Sequence, residues 1–299
     1  MTTSVSVHEG HIDFRGHRTW YRVTGDLRGD RAPVVVVHGG PGSTHDSVLS
    51  FTDLAADDRA VIHYDQIGNG RSSRVPDAPE EFWRVERFRD ELVALLAELG
   101  VEDRYHLLGH SWGGMLSAEH AVHGPSGMRS LVLVSAPASV DLGVAEQRRL
   151  YERQPEAIQK ALGSHAATRS DSPEYELLQR EYFGKHLCRV TPWPDELVRS
   201  LDAGTQDPTV LRATYGPRMG EVTGTLRGWS VVDRLEGITA PTLLLSGSYD
   251  HVAPAAMLPF HQRVRDVRWA VLPDSGHFPH IDERELCMRF VAEFLASHD

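Results

Sequence analysis

Polar residues alternate with apolar or aromatic ones from residue 4 to residue 24 around Arg15-Gly16-His17, and this two-residue period predicts a hairpin of two half-buried strands. Beyond residue 24 the pattern changes to short continuous runs of β-branched or aliphatic residues at Val34–Val37, Ala60–Tyr64, Tyr105–Leu108, Leu131–Val134, Thr242–Ser246 and Arg268–Leu272. Runs of this length without alternation are those of parallel strands buried on both faces. Between them lie helical periods. The clearest is Val85–Leu99, where Phe88, Leu92, Leu95, Leu96 and Leu99 recur three and four apart and Gly100 supplies a stop. Strand and helix in alternation predict an α/β fold with a mostly parallel, doubly wound sheet, whose ligands bind beyond the carboxyl ends of the strands.

The alternation fails between about residues 138 and 235, where Gln, Glu, Arg, Pro and aromatic residues dominate and no strand run is found. That stretch reads as a helical insertion, a cap lying over the strand ends. The expected organisation is a core formed by residues 1–137 and 236–299, with the cap over 138–235. Internal repeats and low-complexity segments are not found.

Composition narrows the class. The 299 residues, 40% hydrophobic and 24% charged, are those of a folded globular chain with ample length for a core. The net charge of −11 supplies no field that draws the chain to nucleic acid or to an anionic membrane surface. Cys188 and Cys287 are far apart and in no metal or redox spacing, which suits reduced thiols. The start carries no basic stretch followed by an apolar one, and the longest purely aliphatic run is Val34–Val37. The expectation is a cytoplasmic protein without a membrane span, compatible with a monomer.

Gly109-His110-Ser111-Trp112-Gly113 fits G-x-S-x-G between a strand run and a helix expected to begin near Gly114. On such a sharp turn a side chain at either glycine would collide with neighbouring backbone, and the serine hydroxyl is raised over the sheet. A hydroxyl needs a base. Asp250 follows the run Thr242–Ser246, and His277 follows Arg268–Leu272, which is the chain order Ser, Asp, His of triads on this fold. His280, three positions on, competes with His277, and Gly276 favours His277. His38-Gly39-Gly40-Pro41-Gly42 directly after Val34–Val37 offers an oxyanion turn, with the backbone N–H groups of Gly40 and Trp112 as donors. No G-x-x-x-x-G-K-[ST] or G-x-G-x-x-G pattern follows, so a nucleotide site is a weak reading. The remaining histidines form no recognised ligand spacing, which disfavours a zinc hydrolase.

H-G-G-P-G at 38–42, Tyr64-Asp65-Gln66-Ile67-Gly68-Asn69-Gly70-Arg71-Ser72 and the G-H-S-W-G-G elbow together resemble the proline iminopeptidase family of α/β-hydrolases. Cap stretches such as Ser172-Pro173-Glu174-Tyr175, Trp193-Pro194 and Gly224-Thr225-Leu226 with Trp229 are similar to the branch containing the tricorn-interacting aminopeptidase and amino acid amidases. The resemblance runs over nearly the whole chain. It implies a serine peptidase or amidase with Ser111 as nucleophile, His277 as base and then acid, and Asp250 orienting the imidazole. It implies no metal or organic cofactor, and a small molecule or short peptide as the binding partner. The 65–72 segment would be structural, bracing the loop beside the oxyanion turn.

The departures concern the substrate. Members of this branch hold a free α-ammonium with two glutamates; here the matching positions are Met219, within Tyr215-Gly216-Pro217-Arg218-Met219-Gly220, and His251. A buried ammonium left unpaired costs several kcal/mol. Glu221 could restore one contact. The expected pocket, lined by Tyr182, Phe183, Trp193, Tyr215 and Met219, suits a less cationic, more apolar acyl group on an amide, ester or lactone. Esterase, lactonase and acyltransferase activities are therefore the alternatives, with a ligand-binding protein on the same fold ranked below them. Ser111 argues against dehalogenases and epoxide hydrolases, which need a carboxylate at the elbow.

Overall fold

The computed structural model describes residues 6–164, 172–216, 221–252 and 254–299. Eight strands form one sheet: β1 (Val7–Phe14), β2 (His17–Thr24), β3 (Val34–Val37), β4 (Val61–Tyr64), β5 (Tyr105–His110), β6 (Met128–Val134), β7 (Thr242–Gly247) and β8 (Val267–Leu272). Their spatial order is β1-β2-β4-β3-β5-β6-β7-β8. The hairpin β1–β2 is antiparallel and pairs antiparallel to β4; all other pairings are parallel. Each expected strand run is present, extended or trimmed by up to three residues at an end.

The run of valines in β3 shows why unbroken apolar sequence makes such a strand. All four are fully buried, Val35 and Val37 in one core and Val34 and Val36 in the other, on opposite faces of the sheet. Full burial of each side chain stabilises by about 1.5–3 kcal/mol. One face is covered by α1 (Val85–Glu98) through Phe88, Leu92, Leu95 and Leu96, and by α2 (Trp112–Ala121). The other is covered by the 3-10 turns over His45–Asp57 and by the C-terminal helix, through Val48, Phe51, Cys287, Val291 and Phe294. Gly100 ends α1 with φ +66°.

From β6 to β7 the described chain forms helices: α3 (Val140–Glu152), α4 (Glu156–Ser164), α5 (Pro173–Leu178), a π turn over Gln179–Phe183, α6 (Gly184–His186), α7 (Asp195–Gln206) and α8 (Thr209–Thr214). The cap has a small core of its own, with Ile158, Leu162, Leu178 and Tyr182. After β7 come α9 (Leu258–Arg263), α10 (Pro279–Asp282) and α11 (Arg284–Ala296). Among the described residues no helix is long and apolar enough to cross a membrane. Both cysteines are free and buried.

The sheet order places the site. From β3 the chain moves outward to β4, then returns through α1 to β5 on the other side of β3, so the loops leaving β3 and β5 diverge and open a crevice between them. One expectation is corrected here: α2 starts at Trp112, not near Gly114. The glycines at 113 and 114 are inside the helix because it lies hard on the sheet. A Cβ on Gly113 would strike the Val37 carbonyl, and one on Gly114 the Ala136 side chain.

Candidate active site

Ser111 stands between β5 and α2 at φ +54°, ψ −121°, a conformation that L side chains rarely adopt. Its N–H donates to the Val134 carbonyl at 2.8 Å, which ties the turn to β6. Gly109 allows the close return of the chain, since a Cβ there would collide with the Gly113 carbonyl and Ser117. Trp112 is the first residue of α2, so its N–H has no carbonyl one turn earlier to bond.

Two loops after β7 and β8 carry Asp250 and His277. Gly247, at the end of β7, lies against the Ser275 and Gly276 carbonyls with no room for a Cβ, and the Tyr249 N–H donates to the Ser275 carbonyl at 2.9 Å. This approach sets His277 Nδ1 at 2.8 Å from Asp250 Oδ1, both residues buried. The Val252 N–H also donates to Asp250 Oδ1, at 2.9 Å. Burial pushes the Asp250 carboxyl up to about 6, against the nearby His251 and the Val252 N–H. Burial, then the neighbouring His280, holds the His277 imidazole down to about 3, so the ring is neutral at pH 7. With Nδ1 donating to Asp250, Nε2 carries a lone pair. His280 is fully buried and bonds the Ser47 carbonyl at 2.9 Å, away from Asp250.

Ser111, His277, Gly40 and Trp112 line one cavity of about 250 Å³, together with Tyr215, Trp193 and His251. Gly40 is exposed at φ +113° in the turn after β3. Neighbouring side chains secure this turn. Gln66 donates through Nε2 to the His38 carbonyl at 2.9 Å and accepts at Oε1 from Trp112 Nε1 at 2.8 Å. Its own N–H donates to His38 Nε2 at 3.1 Å, while His38 Nδ1 donates to the Gly39 carbonyl at 2.9 Å. One glutamine thus joins the two elements that would supply oxyanion donors. Asp65 holds the next turn by accepting from the His45 and Arg71 N–H groups, each at 2.8 Å. The Arg71 guanidinium does not reach the oxyanion turn; it pairs with Glu9 at 2.8 Å.

The cap closes the cavity with Tyr175, Phe183, Leu187, Trp193, Leu201, Leu211 and Tyr215. Phe183, Trp193 and Tyr215 thus fall where the sequence suggests, whereas Tyr182 packs into the cap core instead. Trp193 is fixed by its Nε1 donating to the Cys188 carbonyl at 2.9 Å. Met219 lies outside the described residues. Glu221 is exposed and does not line the cavity, and the Thr223 N–H donates to the Tyr215 carbonyl at 2.9 Å. Among the described residues, those lining the cavity include no Asp, Glu, Lys or Arg.

Two positioning residues carry no signal in the sequence. His110 donates from Nε2 to the His277 carbonyl at 2.8 Å. Asp282 accepts at Oδ1 from the Arg189 N–H at 2.7 Å and the Val190 N–H at 3.2 Å, and at Oδ2 from the Gly276 N–H at 2.8 Å. It therefore binds a cap segment to the His277 loop, whose N–H also donates to the Leu187 carbonyl at 2.8 Å.

A parallel sheet with a serine on a strained strand-to-helix turn, under a helical cap, defines an α/β-hydrolase, and residues 32–284 match the α/β hydrolase fold family. The chain is 34% identical over 293 residues to a proline iminopeptidase of Lactiplantibacillus plantarum, covering 96% of this chain and 100% of that protein. It is 32% identical over 300 residues to that of Clostridium botulinum, covering 99% and 100%. Among solved structures, VinJ superposes with a TM-score of 0.92 at 44% identity, covering 98% of this chain and 99% of that one. Proline iminopeptidase of Mycobacterium smegmatis superposes with a TM-score of 0.88 at 40% identity, covering 97% and 98%. The chain belongs to the proline iminopeptidase family of α/β-hydrolases and is a hydrolase of that type.

Proposed function

We propose that the protein is a serine hydrolase that cleaves a small amide or peptide bond through an acyl-enzyme. The observation that carries this reading is the buried His277–Asp250 pair beside a cavity that Ser111 also lines. In the first half-reaction Ser111 Oγ attacks the scissile carbonyl while His277 Nε2 takes its proton. The oxyanion is received by the N–H groups of Gly40 and Trp112, and Nε2 returns the proton to the leaving amine. Water, deprotonated by the same nitrogen, then releases the acyl group as its acid. Asp250 keeps the imidazole in the tautomer that leaves Nε2 unprotonated, and stabilises the imidazolium.

The recognition site is altered relative to an enzyme for free amines. Among the described residues the cavity wall is apolar, aromatic or neutral-polar, His251 is held neutral by burial, and Glu221 is on the surface. Such a wall favours an acyl group without a free α-ammonium, since a cation entering it would lose hydration without gaining a counter-charge. The same wall favours a second reading, hydrolysis or transfer of an apolar ester or lactone. In this reading residues 138–235 cap a core of 1–137 and 236–299, the setting is cytoplasmic, and no partner chain is required. The test compares kcat/KM for prolyl and alanyl p-nitroanilides with that for their N-acylated forms and for short p-nitrophenyl esters. Preference for blocked anilides supports the altered amidase, preference for esters supports the second reading, and preference for free-amine anilides overturns the altered site.

A further inference from the structure

The residue after Asp250 is a histidine whose ring packs against that of His277, with centroids 4.4 Å apart. One ligand atom each from Asp250, His251 and His277 lies within 4.8 Å of those of the other two. His251 Nδ1 is buried and has no hydrogen-bond partner, so one nitrogen of this imidazole is uncommitted. Two imidazole nitrogens and a carboxylate oxygen form the donor set of tetrahedral zinc sites that keep an open fourth position. Oxygen-seeking cations such as Mg²⁺ and Ca²⁺ do not favour it.

We propose that Asp250, His251 and His277 form a binding site for Zn²⁺ and similar divalent transition ions, at which the metal acts as a reversible inhibitor and not as a cofactor. Ligands about 2.0–2.1 Å from a tetrahedral ion stand about 3.3 Å from one another, so side-chain shifts of the order of 1 Å close the site. His251 and His277 both line the cavity, which supplies the way in. An ion between Asp250 and His277 takes the Nδ1 lone pair and the carboxylate oxygen, and the ring proton moves from Nδ1 to Nε2. The ring keeps its single proton, but Nε2 can no longer accept one from Ser111. Binding stands on geometry alone, whereas the inhibition rests on the serine-hydrolase reading above.

The test uses untagged full-length protein freed of metal, with Zn²⁺ titrated against a chromophoric chelator and Co²⁺ followed by its visible absorption. We expect one high-affinity Zn²⁺ per chain. His251→Phe, which keeps the ring packing and deletes the ligand, should weaken it by more than the roughly 10–100-fold that loss of an outer-shell partner costs. His251→Gln serves the same purpose if the phenylalanine variant shows an unfolded circular dichroism spectrum. Failure to take up micromolar Zn²⁺, or equal uptake by the wild type and the folded variant, would overturn the site. In parallel, Zn²⁺ should slow fluorophosphonate labelling of Ser111 in the wild type and not in His251→Phe. Absence of labelling without metal would overturn the serine-hydrolase reading while leaving the binding result to decide the site.

Discussion

His110, the residue before the serine, donates from Nε2 to the backbone carbonyl of His277 across 2.8 Å. The elbow that presents Ser111 therefore also fixes the main chain of His277. His110 is fully buried, and burial holds its imidazole well below the usual range, so it is a neutral donor wedged between the rings of His277, Phe278 and His280.

Replacing His110 by phenylalanine keeps the ring and removes the donor. The His277 carbonyl is then buried without its partner, which should lower the unfolding free energy by about 1–3 kcal/mol. The rate effect should appear in kcat rather than KM, because what is lost is the alignment of the base. Urea unfolding together with steady-state kinetics checks both; an unchanged kcat would show that the loop holds His277 without this bond.

Ser111→Ala should reduce kcat by about 10⁶ while leaving the fold intact. Ser111→Gly is predicted to be equally inactive but more stable than the wild type by about 1 kcal/mol, because glycine tolerates φ +54° without strain. Thermal unfolding of the three proteins side by side is the measurement. Equal stability of the alanine and glycine variants would mean that the turn stores little strain.

Asp250 has a folded-state pKa raised from 3.8 to about 6. The folded protein therefore binds this proton more tightly than the unfolded chain, so the Asp250 contribution to stability decreases as pH rises from about 4 to about 6 and is constant above. Activity runs the other way, since only the carboxylate supports the imidazolium, and kcat/KM should fall about tenfold per pH unit below pH 6. Asp250→Asn should lose about 10⁴ in kcat and unfold no more easily at pH 7 than the wild type. Loss of stability at pH 7 in that variant would show that the ionised pair holds the fold together.

Met219→Glu combined with His251→Glu returns two carboxylates to the positions where the family resemblance places an ammonium site. Cleavage of alanyl or prolyl p-nitroanilide should rise at least tenfold in kcat/KM, about 1.4 kcal/mol of transition-state binding. No gain would count against the argument that the neutral wall excludes free amines.

The strands were legible because their burial is two-sided and needs no knowledge of the neighbours: Val34–Val37 announces itself by composition alone. The placement of Ser111, Asp250 and His277 after β5, β7 and β8 was legible because each follows an apolar strand run in the sequence. Trp112 as the start of α2 was less so, since Gly113 and Gly114 resemble a break until the Val37 carbonyl is seen pressed against the helix. His110 and Asp282 act through partners many positions away and no local pattern marks them, whereas the bracing by Gln66 was legible through the family resemblance of the 65–72 segment. Tyr182 and Phe183 are adjacent on one turn and both pack the cap core, so composition could not decide which of them also reaches the cavity.

The carboxylate of Asp282 makes the 189–190 segment and the loop that carries His277 one mechanical part. Displacing residues 186–190 would pull on Gly276 through Asp282 and on the His277 N–H through Leu187, drawing His277 away from Asp250. Under the proposed mechanism the 186–190 segment and the loop that carries His277 would therefore move as one unit.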